Sequence, residues 1–194
     1  MKKSLFILFT FLLFTASPIL AGQYAIDPDH TEIGFSVKHM VITNVKGAFR
    51  EYKAGFEVDE NNKLVALQAD IAVNSIDTRI QKRDDHLRSP DFFDVAKYPK
   101  ITFATTSVVP GAGNSYTVKG LLTIKNTVRE IELDGEMTGP VKDPWGNQRM
   151  GIVLKGQIDR QNFDVTYNKV LETGGLLIDN EVKVHLEGQG ILQK

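Results

Sequence analysis

The side chains with most chemical reach are four histidines, His30, His39, His86 and His185, and one dense charged run, Arg83-Asp84-Asp85-His86-Leu87-Arg88. A metal centre would need several histidines converging, usually with carboxylates. No two of them stand at helical i, i+4 spacing and no His-Glu-x-x-His occurs, so no metal ligand is assigned. His39 shares the apolar parity of Ile33, Phe35 and Val37 and is expected to point inward, as a buried neutral imidazole with a backbone partner or as a polar contact for a ligand. His185, between Val184 and Leu186, should point outward. The charged run would supply general acids and bases to an enzyme; otherwise it is a solvated helix face with local ion pairs. Arg83 shares a helix face with Ile80 and Leu87, which brings its guanidinium near the core. There it would pair with Asp84 or Asp94, or meet a polar ligand head.

Other catalytic signatures are missing. The chain has no cysteine, which excludes disulfides, thiolate zinc sites, iron–sulfur clusters and cysteine nucleophiles. It has no Gly-x-Ser-x-Gly elbow, no Gly-x-x-x-x-Gly-Lys loop and no Gly-x-Gly-x-x-Gly turn. Catalysis therefore has no positive support, no cofactor is expected, and a net charge of −1 over 194 residues argues against nucleic acid as a partner.

The elements that must position these groups are mostly strands. Residues 1–21 read as an export signal: Met1-Lys2-Lys3, an apolar run from Leu5 to Phe14, and small residues up to Ala21. The apolar run is too short to span a bilayer. Cleavage near Ala21 would leave residues 22–194 as one domain, with 21 basic and 24 acidic side chains. Period-two alternation then dominates. It covers Thr31 to Ile42, a less regular stretch from Val45 to Val58, and Val65 to Val73. It resumes from Ile101, Tyr116, Ile131, Met150 and Val182, with turn residues between the runs. The pattern predicts an all-β protein with a short helical insert: an antiparallel β-barrel of about eight strands.

The insert lies at Ser75 to Lys100. Thr78 with Gln81 fits a capping box, and Ser89-Pro90 should cap and start a second short helix carrying Phe92 and Phe93. An eight-stranded barrel either fills its lumen with side chains or holds one small ligand. Small inward residues (Ala69, Gly120, Gly135, Gly156) beside bulky Phe35 and Phe103 favour space inside. Strands of ten residues, at about 3.3 Å each, would be long enough for an extended acyl or prenyl tail.

The chain resembles the YceI-like family of polyisoprenoid-binding, lipocalin-like proteins. The resemblance rests on Tyr24-Ala25-Ile26-Asp27 with His30, on Ile33 to His39, and on Val45-Lys46-Gly47-Ala48-Phe49 with Asn74 to Thr78. It is densest at Arg83 to Asp94 with Lys97-Tyr98-Pro99-Lys100, and continues at Gly120 to Ile124 and Arg160-Gln161-Asn162-Phe163. Two stretches depart from it: Lys125-Asn126-Thr127, where the family often has a basic residue, Gly and Val, and Asn162-Phe163-Asp164, where it has Asp-Phe-Gly. The resemblance implies an exported, periplasmic or secreted barrel holding an isoprenoid-type or other long-chain amphiphile; transient membrane contact and homodimerisation are left open. His39, Arg83 and His86 would stand at the head-group edge. Alternation puts Phe35, Val37, Phe49, Ile76, Phe92, Phe93, Phe103, Leu122 and Phe163 on the lining. The alternatives are a periplasmic hydrolase or metal-dependent enzyme using His39, His86 and nearby carboxylates, and a filled barrel acting as a surface interaction module.

Overall fold

The structure is a computed structural model that describes residues 20–170, 172 and 175–194. The expected export signal falls on residues 1–19, outside the described residues, and on Leu20-Ala21, whose backbone opens the first strand. The strands are β1 (Leu20–Ile26), β2 (Glu32–His39), β3 (Thr43–Phe49), β4 (Tyr52–Asp59), β5 (Leu64–Ala72) and the two-residue β6 (Ile76–Asp77). After the helix α1 (Gln81–Arg88) come β7 (Lys100–Pro110), β8 (Ser115–Ile124), β9 (Thr127–Lys142), β10 (Gln148–Asp159) and β11 (Ile178–Leu192).

Eight of these form a closed antiparallel ring in the order β1-β4-β5-β7-β8-β9-β10-β11. It closes where Tyr24, Ala25 and Ile26 of β1 pair with Leu192, Ile191 and Gly190 of β11. The same edge of β11, from Ile178 to Glu187, pairs with β2, which carries β3 and β6 beyond it. The barrel is thus closed by β1 at one end and flares into β2-β3-β6 with α1 at the other. Strand parity follows the sequence closely: β8 buries Tyr116, Val118, Gly120, Leu122 and Ile124 on one face. Turn chemistry does too, since the Asp59 carboxylate accepts the Asn61 and Lys63 N–H groups between β4 and β5.

The interior is divided. Near the β1-closed end, the Tyr24 and Phe56 rings stack at 5.0 Å. Val58, Val118, Met137, Met150 and Ile152 pack there, each buried. The flared half holds a cavity. The strand glycines do not provide its space. A methyl group on Gly120 would strike the Phe103 ring and the Ala104 carbonyl oxygen, and one on Gly135 would strike the Val153 carbonyl oxygen. These glycines admit close neighbours rather than a ligand.

An ionic cluster ties down the closed end. Arg149 donates from Nη1 to Asp27 Oδ2 at 2.6 Å and from Nε to Asp143 Oδ2 at 2.7 Å, and His30 Nδ1 sits 2.8 Å from Asp27 Oδ2. The Arg149 hydrogen bonds hold both carboxyls below their ordinary pKa, and His30 adds to the effect at Asp27. A depressed carboxylate stabilises the fold fully above the unfolded-state value of about 3.9 and loses that contribution progressively as pH falls from there through the lower folded-state value. Arg149→Met should therefore lower the urea midpoint clearly at pH 7 and by less at pH 3, where part of that contribution has already gone. Equal losses at both pH values would contradict this account.

Candidate functional site

The flared end is organised by two side chains that bind backbone. The first is Arg83. The Asp84 carboxylate accepts both the N–H (2.9 Å) and the hydroxyl proton of Thr78. This removes Thr78 from any capping role: α1 begins after Ile80 with no side-chain cap, and Arg79 turns the chain through the left-handed region. Thr78 is then free to accept from Arg83 Nε at 2.7 Å, while Arg83 Nη2 donates to the Thr78 carbonyl at 2.7 Å. So Arg83 pairs with neither Asp84 nor Asp94, and two of its five donors are used. Asp94 pairs instead with Lys97. Ile80 is half exposed rather than on the buried face.

The expected second helix is a series of turns. The Ser89 hydroxyl donates back to the His86 carbonyl at 2.7 Å, and the Phe92 and Asp94 N–H groups donate to the Ser89 carbonyl. These turns still deliver Phe92 and Phe93 to the core. His86 Nε2 lies 2.9 Å from Asp91 Oδ2, which assigns the proton to that nitrogen. The imidazole stands edge-on to Phe92 (centroids 5.0 Å) and Tyr167 (4.9 Å), and Phe92 meets Tyr167 at 4.9 Å. This aromatic trio joins the insert to the chain following β10.

The second organiser is Arg160, which is buried. It donates to the carbonyls of Val165, Tyr167 (2.9 Å), Asp179 (2.9 Å) and Ile178 (3.4 Å) and to Asn180 Oδ1 (3.2 Å). Burial pulls its pKa below the ordinary arginine value, while Asp159 and Asp179 act the other way. Next to it, Asp164 holds a left-handed conformation (φ 58°) where the resembling family carries glycine. Its carbonyl accepts from Lys125 Nζ at 2.8 Å and its carboxylate from the Thr127 hydroxyl at 2.7 Å. The two departures from the family pattern thus touch each other.

Between these organisers the cavity has a volume of about 380 Å³, within the usual range of small-molecule sites. Ten of the expected residues stand on its wall: Phe35, Val37, His39, Phe49, Arg83, His86, Phe92, Phe93, Phe103 and Leu122. Phe49 links Phe35 (5.9 Å) to Phe93 (6.4 Å). Ile76 and Phe163 do not reach the wall. Ile76 is paired to Phe49 in β6 and Phe163 closes a single 3-10 turn, and both are wholly buried behind the wall.

The strand from Thr31 ends at His39 rather than Ile42, and Met40 and Val41 turn through positive φ. The His39 imidazole faces the cavity and makes no hydrogen bond among the described residues. His185 borders the same space but turns its imidazole to Glu32 on the outer face, at 3.0 Å. Sequence reasoning missed Arg160, Tyr167, Leu87 and Ile178 on the wall. The only hint was Asp159, whose carboxylate caps the Arg160–Phe163 turn through the Gln161 N–H. No aspartate or glutamate lines the cavity. Among the described residues, no three His, Asp or Glu side chains converge as metal ligands would.

A closed antiparallel barrel, packed at one end and hollow at the other, with cationic and hydrogen-bond-donor groups on an otherwise apolar wall, is the architecture of a small-molecule-binding barrel. The chain belongs to the YceI-like family: the YceI-like domain matches residues 24–189. A UPF0312 protein of Staphylococcus aureus is 36% identical over 163 residues, covering 83% of this chain and 92% of its own. One from Yersinia enterocolitica is 37% identical over 158 residues, covering 80% and 82%. Among solved structures, Burkholderia cenocepacia BcnA superposes with a TM-score of 0.71 at 25% identity, over 84% of this chain and 98% of that one. The Campylobacter jejuni YCEI protein also gives 0.71, at 30% identity over 81% and 90%. A polyisoprenoid binding domain from Saccharophagus degradans shares the fold, with a TM-score of 0.60 at 16% identity over 88% and 98%.

Proposed function

We propose that this protein is an exported binding or carrier protein that holds the tail of an isoprenoid-type amphiphile in the barrel cavity. The observation that carries the reading is the cavity itself: an apolar wall free of carboxylates, with His39, Arg83 and His86 on it. Each methylene moved from water to such a wall gains about 0.8 kcal/mol, so tail burial dominates affinity. The head group then needs one or two contacts, and the unused Arg83 donors and the unbonded His39 imidazole can supply them. An acid-free, donor-bearing edge suits a head group that accepts hydrogen bonds. The polyisoprenoid-binding domain of Saccharophagus degradans has the same fold and lends the reading support. Export rests on residues 1–21.

Native mass spectrometry of gently purified protein, with titration of a fluorescent farnesyl probe, tests the ligand. A bound lipid-like mass and saturable probe binding are expected, and a bare protein that ignores the probe would overturn the reading. Cell fractionation and N-terminal sequencing test export, with a mature chain starting near Gly22 expected. A cytoplasmic chain still starting at Met1 would remove it.

A further inference from the structure

The rim of the cavity carries a group of aliphatic side chains that the barrel does not use. The β2–β3 tip exposes Met40, Val41 and Ile42, with Val41 at 61% and Ile42 at 80% of full exposure. Met40 and Val41 both have positive φ, a costly conformation for a β-branched residue, so the tip is held in strain with its apolar side chains outward. The Met40 N–H donates to the Leu177 carbonyl at 2.8 Å, which joins this tip to the antiparallel bridge between Val170 and Leu176. Val170 is 73% exposed and Leu176 is also exposed. His39 and Leu177, the immediate neighbours, are on the cavity wall. Five exposed aliphatic side chains thus stand beside the mouth.

The hairpin that carries the tip is basic. No acid occurs from Ser36 to Arg50, and Lys38, Lys46 and Lys169 flank the patch without an ion pair among the described residues. Glu172 stands beside Val170, and Asp179 and Glu181 lie on β11 across from Lys38. The far end is different. Trp145, the only tryptophan, is 80% exposed at the β9–β10 tip, but it adjoins Asp143 and the packed half of the barrel.

We infer that the Met40–Ile42 tip and the bridged pair Val170 and Leu176 form a docking surface for an anionic lipid bilayer, which brings the cavity mouth to the membrane. The occupant follows from charge and continuity. Scattered exposed aliphatics are ordinary, but a strained cluster at a mouth, flanked by unpaired lysines, matches the acyl boundary and the negative surface of a bilayer. The inference rests on the ligand reading for its purpose: an amphiphile with a long apolar tail resides in membranes, and a docked mouth spares the tail from crossing water.

Co-sedimentation with phosphatidylcholine vesicles, with and without a quarter phosphatidylglycerol, is the test. Wild type should partition to the anionic vesicles, and less so as salt rises and the Debye length shrinks from about 10 Å at 0.1 M to about 3 Å at 1 M. The pair Val41→Asp with Ile42→Asp should lose partitioning by about tenfold or more. These side chains are exposed, so the circular dichroism spectrum and binding of a farnesyl probe delivered from cyclodextrin should not change. Trp145 emission should stay unshifted on vesicles, while Ile42→Trp in a Trp145→Phe background should shift to the blue.

Absent partitioning, an unaffected double variant, or a blue-shifted Trp145 with a silent Ile42→Trp would overturn the inference. So would a wild-type dimer that the double variant splits, because the tip would then join two copies. Docking without any probe binding would sink the ligand reading alone, and probe binding without docking would sink this one alone.

Discussion

Arg160→Met should destabilise the protein by about 3 kcal/mol and loosen one wall of the cavity. A single unmet buried partner costs about 1–3 kcal/mol, and several carbonyls lose theirs together, with partial relief where water can enter. Five hydrogen bonds run from this one guanidinium to the Val165, Tyr167, Ile178 and Asp179 carbonyls and the Asn180 side chain. Methionine has similar length and fills the space without a donor, so the effect isolates the hydrogen bonds rather than a void. Arg160→Lys keeps the charge but presents three donors without the planar fork, and should recover only part of the loss. Denaturant titration gives the free energy. Hydrogen exchange locates it: the Val165 and Ile178 amides, which donate to the Arg160 carbonyl and the Asn168 side chain, should lose protection more than those of β8, which lies away from Arg160. A loss below about 1 kcal/mol would mean that the wall holds its shape by packing alone. Because Val165, Tyr167 and Ile178 line the cavity, ligand affinity should fall in the same variants.

Arg160 also shows where the sequence stops being informative. Four of its five partners are backbone carbonyls 5 to 19 positions away, and a carbonyl acceptor leaves no trace in side-chain spacing. Parity, in contrast, was legible. His39, Phe35 and Val37 face inward because a strand of alternating side chains admits one register against a buried face. The same rule failed at the strand's end. Met40, Val41 and Ile42 continue the apolar run, but positive φ at two of them ends the strand and turns the tip outward.

The helical insert was legible in its main helix and only in part in its caps. Thr78 has the residue type for a capping box, yet Asp84, six residues on, takes its hydroxyl and its N–H. Ser89 has the type for an N-cap and accepts the Asp91 N–H at 3.3 Å as a cap would, yet its hydroxyl also turns back to His86 and turns follow it instead of a helix. In both cases a short polar side chain had two local partners of similar quality, and three-dimensional packing chose between them. The strand glycines were misread for a related reason. A missing Cβ signals room, but at Gly120 and Gly135 the room is taken by a neighbouring ring or backbone oxygen.

Val37→Glu should abolish uptake of an apolar tail at neutral pH while leaving the barrel folded. Val37 is half-buried on the cavity wall, paired in register with Val45 and Val182, both also on the wall. With the cavity empty, a carboxylate there can keep water. A seated tail would strip that water, and an uncompensated buried carboxylate costs several kcal/mol. At about 1.4 kcal/mol per tenfold, farnesyl-probe affinity should fall by a hundredfold or more. The wall has no other acid, so the effect should carry one titration of its own. Desolvation favours the neutral acid, which raises the glutamate pKa in the complex above the ordinary value of about 4.3. Binding should therefore recover as pH falls through that range, whereas Val37→Leu should bind at every pH with little change. The contrast separates the readings of this barrel. A filled barrel that works through its outer surface would lose stability with glutamate at this position and would show no pH-dependent rescue of a ligand.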